Sequence, residues 1–430
     1  MRGFQGVFGM GTWRRSAAAA IAGAGVLAVI LSGCTPESTV AVDLPAQVDA
    51  PLADQTVTEL RDAVTTAMAA TGSSGAIVGV WVPWSGTWVS GLGTQGPGGA
   101  EVSADLDFRA ADVTGAMTCD VLYDLAADGT VKLDDPVTTW VSNLPGYDDI
   151  TLRMLCNGTS GLGSYSSVLQ GVELNNPDRA WNPRELLAYG ISSPRRNAPG
   201  AAFADSDTNY LVAGLAVERA TGESLSDLIR ERVAAPLGLS DTTLPGSAAA
   251  APSSSALEGF RSQQIPEGGW TCDQPQDVTV VSASFGGAAS GAVTDITDLG
   301  RYTQALAAGS LLPAESDRFS SPLPVSPDDP TWFTAAGGAY QAGSLIGQFG
   351  ATAGYMVGSF ADPQTGMAVS VVLNNSAGNQ KTAAWLAWEL AAIASKAPAA
   401  SGQTAPEAGL PWTAQQMRDG IVGNAICPVP

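Results

Sequence analysis

The residue types available for catalysis narrow the possible chemistry of this chain. It contains no histidine. Histidine is the base of Ser-His-Asp and Cys-His catalysis and a ligand in HExxH zinc sites, so these classes are excluded. The sequence also lacks a Gly-x-Ser-x-Gly elbow and a Walker motif.

A lysine can also activate a serine when it stands three residues later on the same helical turn, because its neutral amine then lies beside the hydroxyl. The chain has three lysines, and the residues three positions before Lys132, Lys381 and Lys396 are Gly129, Gly378 and Ile393. No Ser-x-x-Lys pair therefore exists.

One glycine-rich segment has the spacing of a dinucleotide-binding loop. Residues 91–96 spell Gly-x-Gly-x-x-Gly, but Pro97-Gly98-Gly99 follows where a helix would have to begin. We interpret the segment as the end of a hairpin and its loop. No cofactor is expected.

Hydrophobic periodicity predicts the elements that would position functional side chains. Helices are predicted at 58–70, 113–127, 151–156, 183–188, 209–221, 225–234 and 382–394. Strand pairs are predicted at 76–82 with 87–92 and at 353–360 with 367–373. This order indicates a sheet lobe built from both chain ends (56–108 and 285–396) with a mainly helical lobe (109–284) inserted. The cleft between the lobes is the expected ligand site.

The first residues are typical of an export signal. Three arginines precede a small, apolar run at 17–31, so residues 1–33 are predicted to be a signal peptide. Leu31-Ser32-Gly33-Cys34 resembles the lipobox, at which bacteria attach lipid to the cysteine. An uncleaved membrane helix is the alternative, but the apolar run is short for a span. We expect a protein anchored through Cys34 on the extracytoplasmic face of the cell membrane.

The chain ends flank the predicted domain, which spans residues 56–396. Residues 34–55 are rich in Pro, Ala, Asp and Val without periodicity, which suits a tether. Residues 397–430 are interpreted as a structural tail with a linker, a short helix near 412–418 and a cysteine anchor.

Charge argues against one class of partner. The formal net charge is −21, and loss of the signal arginines makes it more negative. Such a surface repels phosphate backbones and anionic headgroups, so nucleic acid is not an expected partner.

Four cysteines remain once Cys34 is assigned to lipid, an even number in an exported protein. Of the three possible pairings we favour Cys119 with Cys156 and Cys272 with Cys427, since the last would pin the Pro-rich tail. Four free thiols are the alternative.

Several spaced segments between residues 57 and 396 resemble the serine beta-lactamase-related family, which includes class C beta-lactamases, D-alanyl-D-alanine carboxypeptidases and esterases. The resemblance implies a two-lobed, penicillin-binding-protein-like α+β fold, with an antiparallel sheet flanked by helices. It is carried by Phe108-Arg109-Ala110-Ala111, Asp128-Gly129, Lys132-Leu133-Asp134-Asp135-Pro136-Val137, Thr159-Ser160-Gly161-Leu162, Pro199-Gly200, Thr208-Asn209-Tyr210, Gly354-Tyr355 and Asp362-Pro363-Gln364-Thr365-Gly366.

The register of these segments places other residues where the family has its catalytic groups. Asp112 and Gly115 stand at the positions of the nucleophilic serine and the activating lysine. Asp205 and Asp207 stand at the tyrosine and asparagine positions of the second motif. Gln348 stands at the cation position of the third motif, and Gly158 at the position of a common histidine.

These replacements predict a protein that does not run the family's chemistry. Attack by Asp112 on an amide or ester would give a labile anhydride, and Gly115 supplies no base. Gln348 removes the positive contact for a substrate carboxylate. We therefore predict a non-catalytic binding or scaffolding module, with a peptidoglycan-derived ligand or a protein as its partner. A working hydrolase that uses rearranged residues is the alternative.

Each of these side chains also has a simpler interpretation. Asp112 stands where a helix begins, so capping alone would account for it. The sharper hypothesis is that Asp112, Asp205 and Asp207 converge to bind a divalent cation or an amine. Ser206 and Ser160 could be substitute nucleophiles but are expected to make turn hydrogen bonds. The tryptophans of the first hairpin, which could line a groove, are expected in the core and on the sheet surface: Trp81, Trp84 and Trp88.

Overall fold

The computed structural model describes residues 40–142, 144–407 and 409–429. The predicted signal peptide and Cys34 lie outside the described residues. Among the described helices, none combines the length and apolar character that a membrane crossing requires.

The helices and strands predicted from the sequence are present in the predicted order, together with elements that were not predicted. The helices are α1 (Asp54–Thr71), α2 (Val113–Ala127), α3 (Val137–Trp140), α4 (Leu152–Cys156), α5 (Ser166–Leu174), α6 (Pro183–Ser192), α7 (Asp207–Thr221), α8 (Leu225–Ile229), a π-helical turn (Arg230–Ala234), α9 (Ala235–Leu237), α10 (Gly287–Ser290), α11 (Ile296–Ala308), α12 (Lys381–Ala394) and α13 (Ala414–Gly423). The strands are β1 (Gly75–Val82), β2 (Gly86–Gly93), β3 (Phe108–Arg109), β4 (Ala249–Ala250), β5 (Phe260–Arg261), β6 (Gln276–Asp277), β7 (Val281–Ser282), β8 (Val293–Thr294), β9 (Leu323–Pro324), β10 (Phe333–Ala336), β11 (Ala339–Ala342), β12 (Leu345–Thr352), β13 (Tyr355–Ala361) and β14 (Ala368–Leu373).

The main sheet is built from both chain ends, as predicted. It has eight strands in the order β2-β1-β14-β13-β12-β11-β10-β9. Strand β1 pairs antiparallel with β14, with Ala76 opposite Leu373 and Trp81 opposite Ala368. The two predicted hairpins are β1–β2 and β13–β14. The Gly-x-Gly-x-x-Gly segment forms the end of β2 and the loop after it, which confirms the hairpin interpretation.

Alternating side chains bury both faces of this sheet. Val78, Val80 and Val82 of β1 join the core under α1 and α12, whereas Ile77 points to the core shared with the helical lobe. Helices α12 and α13 pack beside α1 on one face, and α11 packs on β12, β13 and β14 on the other. Because successive side chains of β1 point to opposite faces of the sheet, this one strand contributes to both cores.

Helix α2 is the centre of the helical lobe. Nearly every one of its residues is buried, against α7, α10 and the strand β12. A helix that buries residues on every side must be enclosed by other elements. Its N-terminus is thereby held at the junction of the two lobes.

The chain ends belong to the fold more closely than predicted. Within the expected tether, Pro51 bridges to Thr87, and the Gln47 side chain donates to the Val82 and Gly86 carbonyls at 3.1 Å each. In the tail, Trp412 is buried and donates to the Trp388 carbonyl at 2.9 Å. The free tether is therefore a wrong prediction for the stretch from Gln47 onward, because it completes the edge of the first hairpin.

The predicted disulfides and tryptophan roles are confirmed. Cys119 pairs with Cys156 (Cα–Cα 5.8 Å) and Cys272 with Cys427 (Cα–Cα 5.9 Å). The first bond ties α2 to α4, and the second ties the tail to the body of the domain. The hairpin tryptophans make structural contacts: Trp81 packs on Gly79 and Gly300, Trp84 donates to the Ala397 carbonyl at 3.1 Å, and Trp88 lies under Arg61.

Candidate functional site

A recess of about 250 Å³ opens where the start of α2, the start of α7 and the end of β12 meet. We call it the acidic recess, because Asp112, Asp205 and Asp207 line it. The other residues that line it are Ser164, Tyr165, Ser166, Ser167, Gln170, Glu173, Arg196, Ser206, Phe285, Ser290, Ala351, Thr352, Ala353 and Gln380. The recess lies between the lobes, where the element order predicted a ligand site.

Asp112 directs its carboxylate into the recess rather than onto its own helix. It occupies the N-cap position of α2, but its side chain makes no capping hydrogen bond. Its carboxylate rests instead on Gly350 of β12, where an added Cβ would collide with Oδ2. Capping as the whole explanation of Asp112 is therefore wrong, since the tight approach to β12 holds the carboxylate away from the helix amides.

The backbone just before Asp112 is strained. Ala111 has φ 48°, a left-handed conformation that no other non-glycine residue adopts among the described residues. Such conformations cost about 1–3 kcal/mol and persist where the surrounding structure imposes them. The fold thus keeps a constrained turn at the start of α2.

The space beside Gly115 is filled by an aromatic ring. A Cβ at this position would lie 2.9 Å from Tyr210 Cε1, so a longer side chain could enter only if the ring moved. The chain's lysines, all of which the structure describes, lie elsewhere: Lys381 pairs with Asp329, and Lys132 and Lys396 are exposed. None of them lines the recess.

Asp207 belongs to a small network with serines. Ser164 Oγ donates to Asp207 Oδ2 at 3.1 Å and accepts from the Asp207 amide at 3.2 Å. It also lies 2.9 Å from Ser166 Oγ. The carboxylate is thereby held at the first turn of α7, where the helix dipole favours a negative charge.

The electrostatics of the recess disfavour its own charges. Burial, and then the charge of Asp207, raises the pKa of Asp205 to about 6. Burial and the charges of Asp207 and Asp205 raise the pKa of Asp112 well above its ordinary value, and burial raises the pKa of Asp207. Burial also raises the pKa of Glu173, at the side of the recess, to about 7. Carboxylates that crowd together without a cation stabilise their neutral forms.

Ser206 is the least satisfied polar group of the site. Its side chain is 2% exposed, and its Oγ has no hydrogen-bond partner among the described residues. The prediction that Ser206 makes a turn hydrogen bond is wrong. Ser206 stands at the entry to α7 with an extended backbone, and in this position its hydroxyl reaches no partner among the described residues. An unpaired buried hydroxyl costs about 1–3 kcal/mol.

Ser160 behaves as predicted. Its Oγ donates to Asn209 Oδ1 and accepts from the Leu162 amide, so it stabilises a buried turn. It does not line the recess.

Two of the register positions face away from the recess. Gln348 is buried in β12, where its Nε2 donates to the Gly338 carbonyl at 3.1 Å and its Oε1 accepts from the Phe349 amide at 2.9 Å. Gly158 adopts φ 65° and lies against the Phe203 ring. Both positions serve packing in this fold.

The hypothesis of a divalent cation gains no support. Within the described ranges, no three His, Cys, Asp or Glu side chains are placed so that they could hold a metal ion. The three aspartates share one recess without forming such a group.

Sequence reasoning missed several residues in and around the recess. Tyr210 was identified only as part of a motif, although it fills the space beside Gly115. The run Ser164 to Ser167 leads into α5, and serines are ordinary residues at a helix start, so this run gave no signal of a site. Arg196, exposed at the rim, donates to the Asp205 carbonyl at 3.1 Å and carried no sequence signal.

Comparisons with known proteins agree with this architecture. A family model described as beta-lactamase matches residues 60–392. The D-alanyl-D-alanine-carboxypeptidase/endopeptidase AmpH of Escherichia coli (strain K12) is 32% identical over 153 residues, which are 34% of this chain and 39% of AmpH. Esterase EstB of Burkholderia gladioli is 32% identical over 160 residues, which are 33% of this chain and 40% of the esterase. The chain thus spans less than half of the length of these relatives.

Solved structures match over a larger share. A D-stereospecific amidohydrolase from Streptomyces sp. is 26% identical with a TM-score of 0.65, over 74% of this chain and 94% of that one. A penicillin-binding protein homologue from Pyrococcus abyssi has a TM-score of 0.64 at 18% identity, over 78% and 77% of the two chains, which supports the fold.

Proposed function

Because the chain belongs to the beta-lactamase family, we propose that it is a cell-envelope lipoprotein that keeps this fold as a binding module and does not acylate substrates. Its ligand would be a peptidoglycan-derived molecule or a protein partner. One observation carries the proposal: the carboxylate of Asp112 stands unpaired at the start of α2, beside Asp205 and Asp207, and no lysine lines the recess.

Chemistry at this position argues against turnover. An acylated carboxylate is an anhydride, which hydrolyses readily, and the raised pKa of Asp112 further reduces its nucleophilic form. The ring of Tyr210 leaves no room for a basic side chain from Gly115. The negative recess also repels the carboxylate that anionic substrates of such enzymes present.

Covalent probes test the proposal. We expect the purified mature protein to remain unlabelled by fluorescent penicillin and by a fluorophosphonate, and to leave nitrocefin and simple esters intact. Asp112→Ser is expected to stay silent too, since neither a lysine nor a histidine lies beside the new hydroxyl to activate it. An active serine beta-lactamase serves as the positive control, and labelling of a serine in the wild type would overturn the proposal.

A second candidate function rests on Ser164. Its hydroxyl donates to Asp207, whose raised pKa would suit a weak base, and both line the recess. In this alternative the protein is a hydrolase with rearranged residues. The fluorophosphonate would then label the wild type, and Ser164→Ala would abolish the label while Ser160→Ala kept it.

The lipoprotein assignment has its own test. Cells grown with an alkyne-palmitate probe are expected to label the wild type, and Cys34→Ala is expected to lose the label entirely, because the thiol is the acceptor. Mass spectrometry of the mature N-terminus should find lipid-modified Cys34 as the first residue. An N-terminus upstream of Cys34 would contradict the assignment.

A further inference from the structure

We infer that the acidic recess binds a small organic ligand through a primary ammonium group, which lies among Asp112, Asp205, Asp207 and the Ser206 hydroxyl. The inference rests on the proposed function and deepens it by naming the ligand class.

The recess carries more negative charge than its one lining cation among the described residues, Arg196, can balance. Four carboxylates line it, those of Asp112, Glu173, Asp205 and Asp207. The Asp112 carboxylate has no hydrogen-bond or ion-pair partner among the described residues. Arg196, at the rim, donates a hydrogen bond from Nη1 to the backbone carbonyl of Asp205. Arg109, further back, donates to the carbonyls of Ala250, Thr279 and Ala353. An incoming cation would pair with the Asp112 carboxylate and with the carboxylates of Asp205 and Asp207, which Arg196 balances only in part.

Ser206 gives an independent indication of a ligand. Ser206 lines the recess, and its hydroxyl is buried without a hydrogen-bond partner among the described residues. Buried hydroxyls are normally paired, so an orphan at the wall of a cavity points to a group that binds there. This hydroxyl offers lone pairs to a donor, as the neighbouring carboxylates do.

An ammonium group fits this set of acceptors better than a metal ion. It has three N–H donors that can turn toward separate oxygens. A metal requires its ligands to converge at one short distance, and no such convergence exists in the described part of the chain. The volume of about 250 Å³ admits a compact aliphatic chain behind the ammonium group.

Calorimetry on the full-length mature protein in detergent tests the inference. The probe is 1,5-diaminopentane, and 1,5-pentanediol is its neutral match. We expect heat from the diamine and none from the diol. Asp205→Asn with Asp207→Asn should weaken diamine binding about tenfold or more, and Ser206→Ala about threefold or more, since each removes charge or an acceptor.

Controls separate the possible outcomes. Asp149→Asn, at an exposed ion pair outside the recess, should bind the diamine as the wild type does. Absence of diamine heat, equal heat from the double Asn variant, or heat from calcium or magnesium chloride alone would overturn the inference. These results would leave the proposed function standing, which only covalent labelling or turnover overturns.

Discussion

Replacing Asp205 and Asp207 with asparagine is expected to stabilise the protein near neutral pH and to change little at about pH 4. Burial raises the pKa of Asp205 to about 6 and raises that of Asp207 as well. Keeping these carboxylates charged therefore costs folding free energy. For Asp205 the cost is about 1–2 kcal/mol, after allowance for the solvent contact that the recess retains.

The direction with pH follows from the raised pKa. The folded protein holds the Asp205 proton more tightly than the unfolded chain does. The favourable contribution is fully present below about pH 4, the unfolded value, and is lost as the pH rises through about 6. Asparagine stays neutral, so the variant gains over the wild type only in the upper part of this range.

Urea unfolding near pH 4, 5.5 and 7.5 measures this difference. Asp149→Asn is the matched control with the opposite sign, because a hydrogen bond from Arg195 lowers the pKa of Asp149. That variant should lose about 1 kcal/mol or less near neutral pH. If the recess variant is destabilised near pH 7.5, or equally stabilised at every pH, then the surroundings do not raise the pKa values of the two aspartates.

Arg318→Met is expected to cost about 3–5 kcal/mol in the free energy of unfolding. The guanidinium of Arg318 pairs with Asp120 on α2, and both side chains are almost fully buried, at 3% and 2% exposure. It also donates to the carbonyls of Gly337, at 2.8 Å, and Ala116, at 3.2 Å. Its loss leaves Asp120 charged in the core with only the Tyr302 hydroxyl, at 2.6 Å, as a partner.

A second substitution identifies the cause of that loss. Asp120→Asn combined with Arg318→Met removes the stranded charge, so the double variant should recover part of the stability that the single variant loses. Thermal and urea unfolding of the three proteins would measure it. Equal stability of single and double variants would mean that lost packing, rather than the buried charge, dominates.

The local pattern of apolar residues was sufficient to predict several elements. The four-residue spacing at 58–70 indicated α1, and the apolar run at 113–127 coincides with α2. Strands β10 to β12 were missed because residues 333–352 are rich in glycine and alanine, which have little strand preference of their own. Their strand state depends on neighbouring strands. Helix α11 was missed although Asp295 caps it and its apolar residues recur at helical spacing.

The candidate site was likewise predictable only in part. Spaced motifs along the chain predicted that Asp112, Asp205 and Asp207 stand at the catalytic positions of the family. They did not reveal that Tyr210 fills the space at Gly115, that Gly350 holds the Asp112 carboxylate, or that Ser206 lacks a partner. Each of these contacts joins segments that are far apart in the chain.

The sequence alone determined which chemical groups exist: no histidine, no Ser-x-x-Lys pair, an acidic chain and four cysteines after Cys34. These are properties of composition and local order, which folding cannot change. Only the tertiary structure decided that three aspartates and an unpaired hydroxyl share one recess. Burial and charge proximity arise when distant segments pack together, and they decide which groups are stable as ions and which are left open to a ligand.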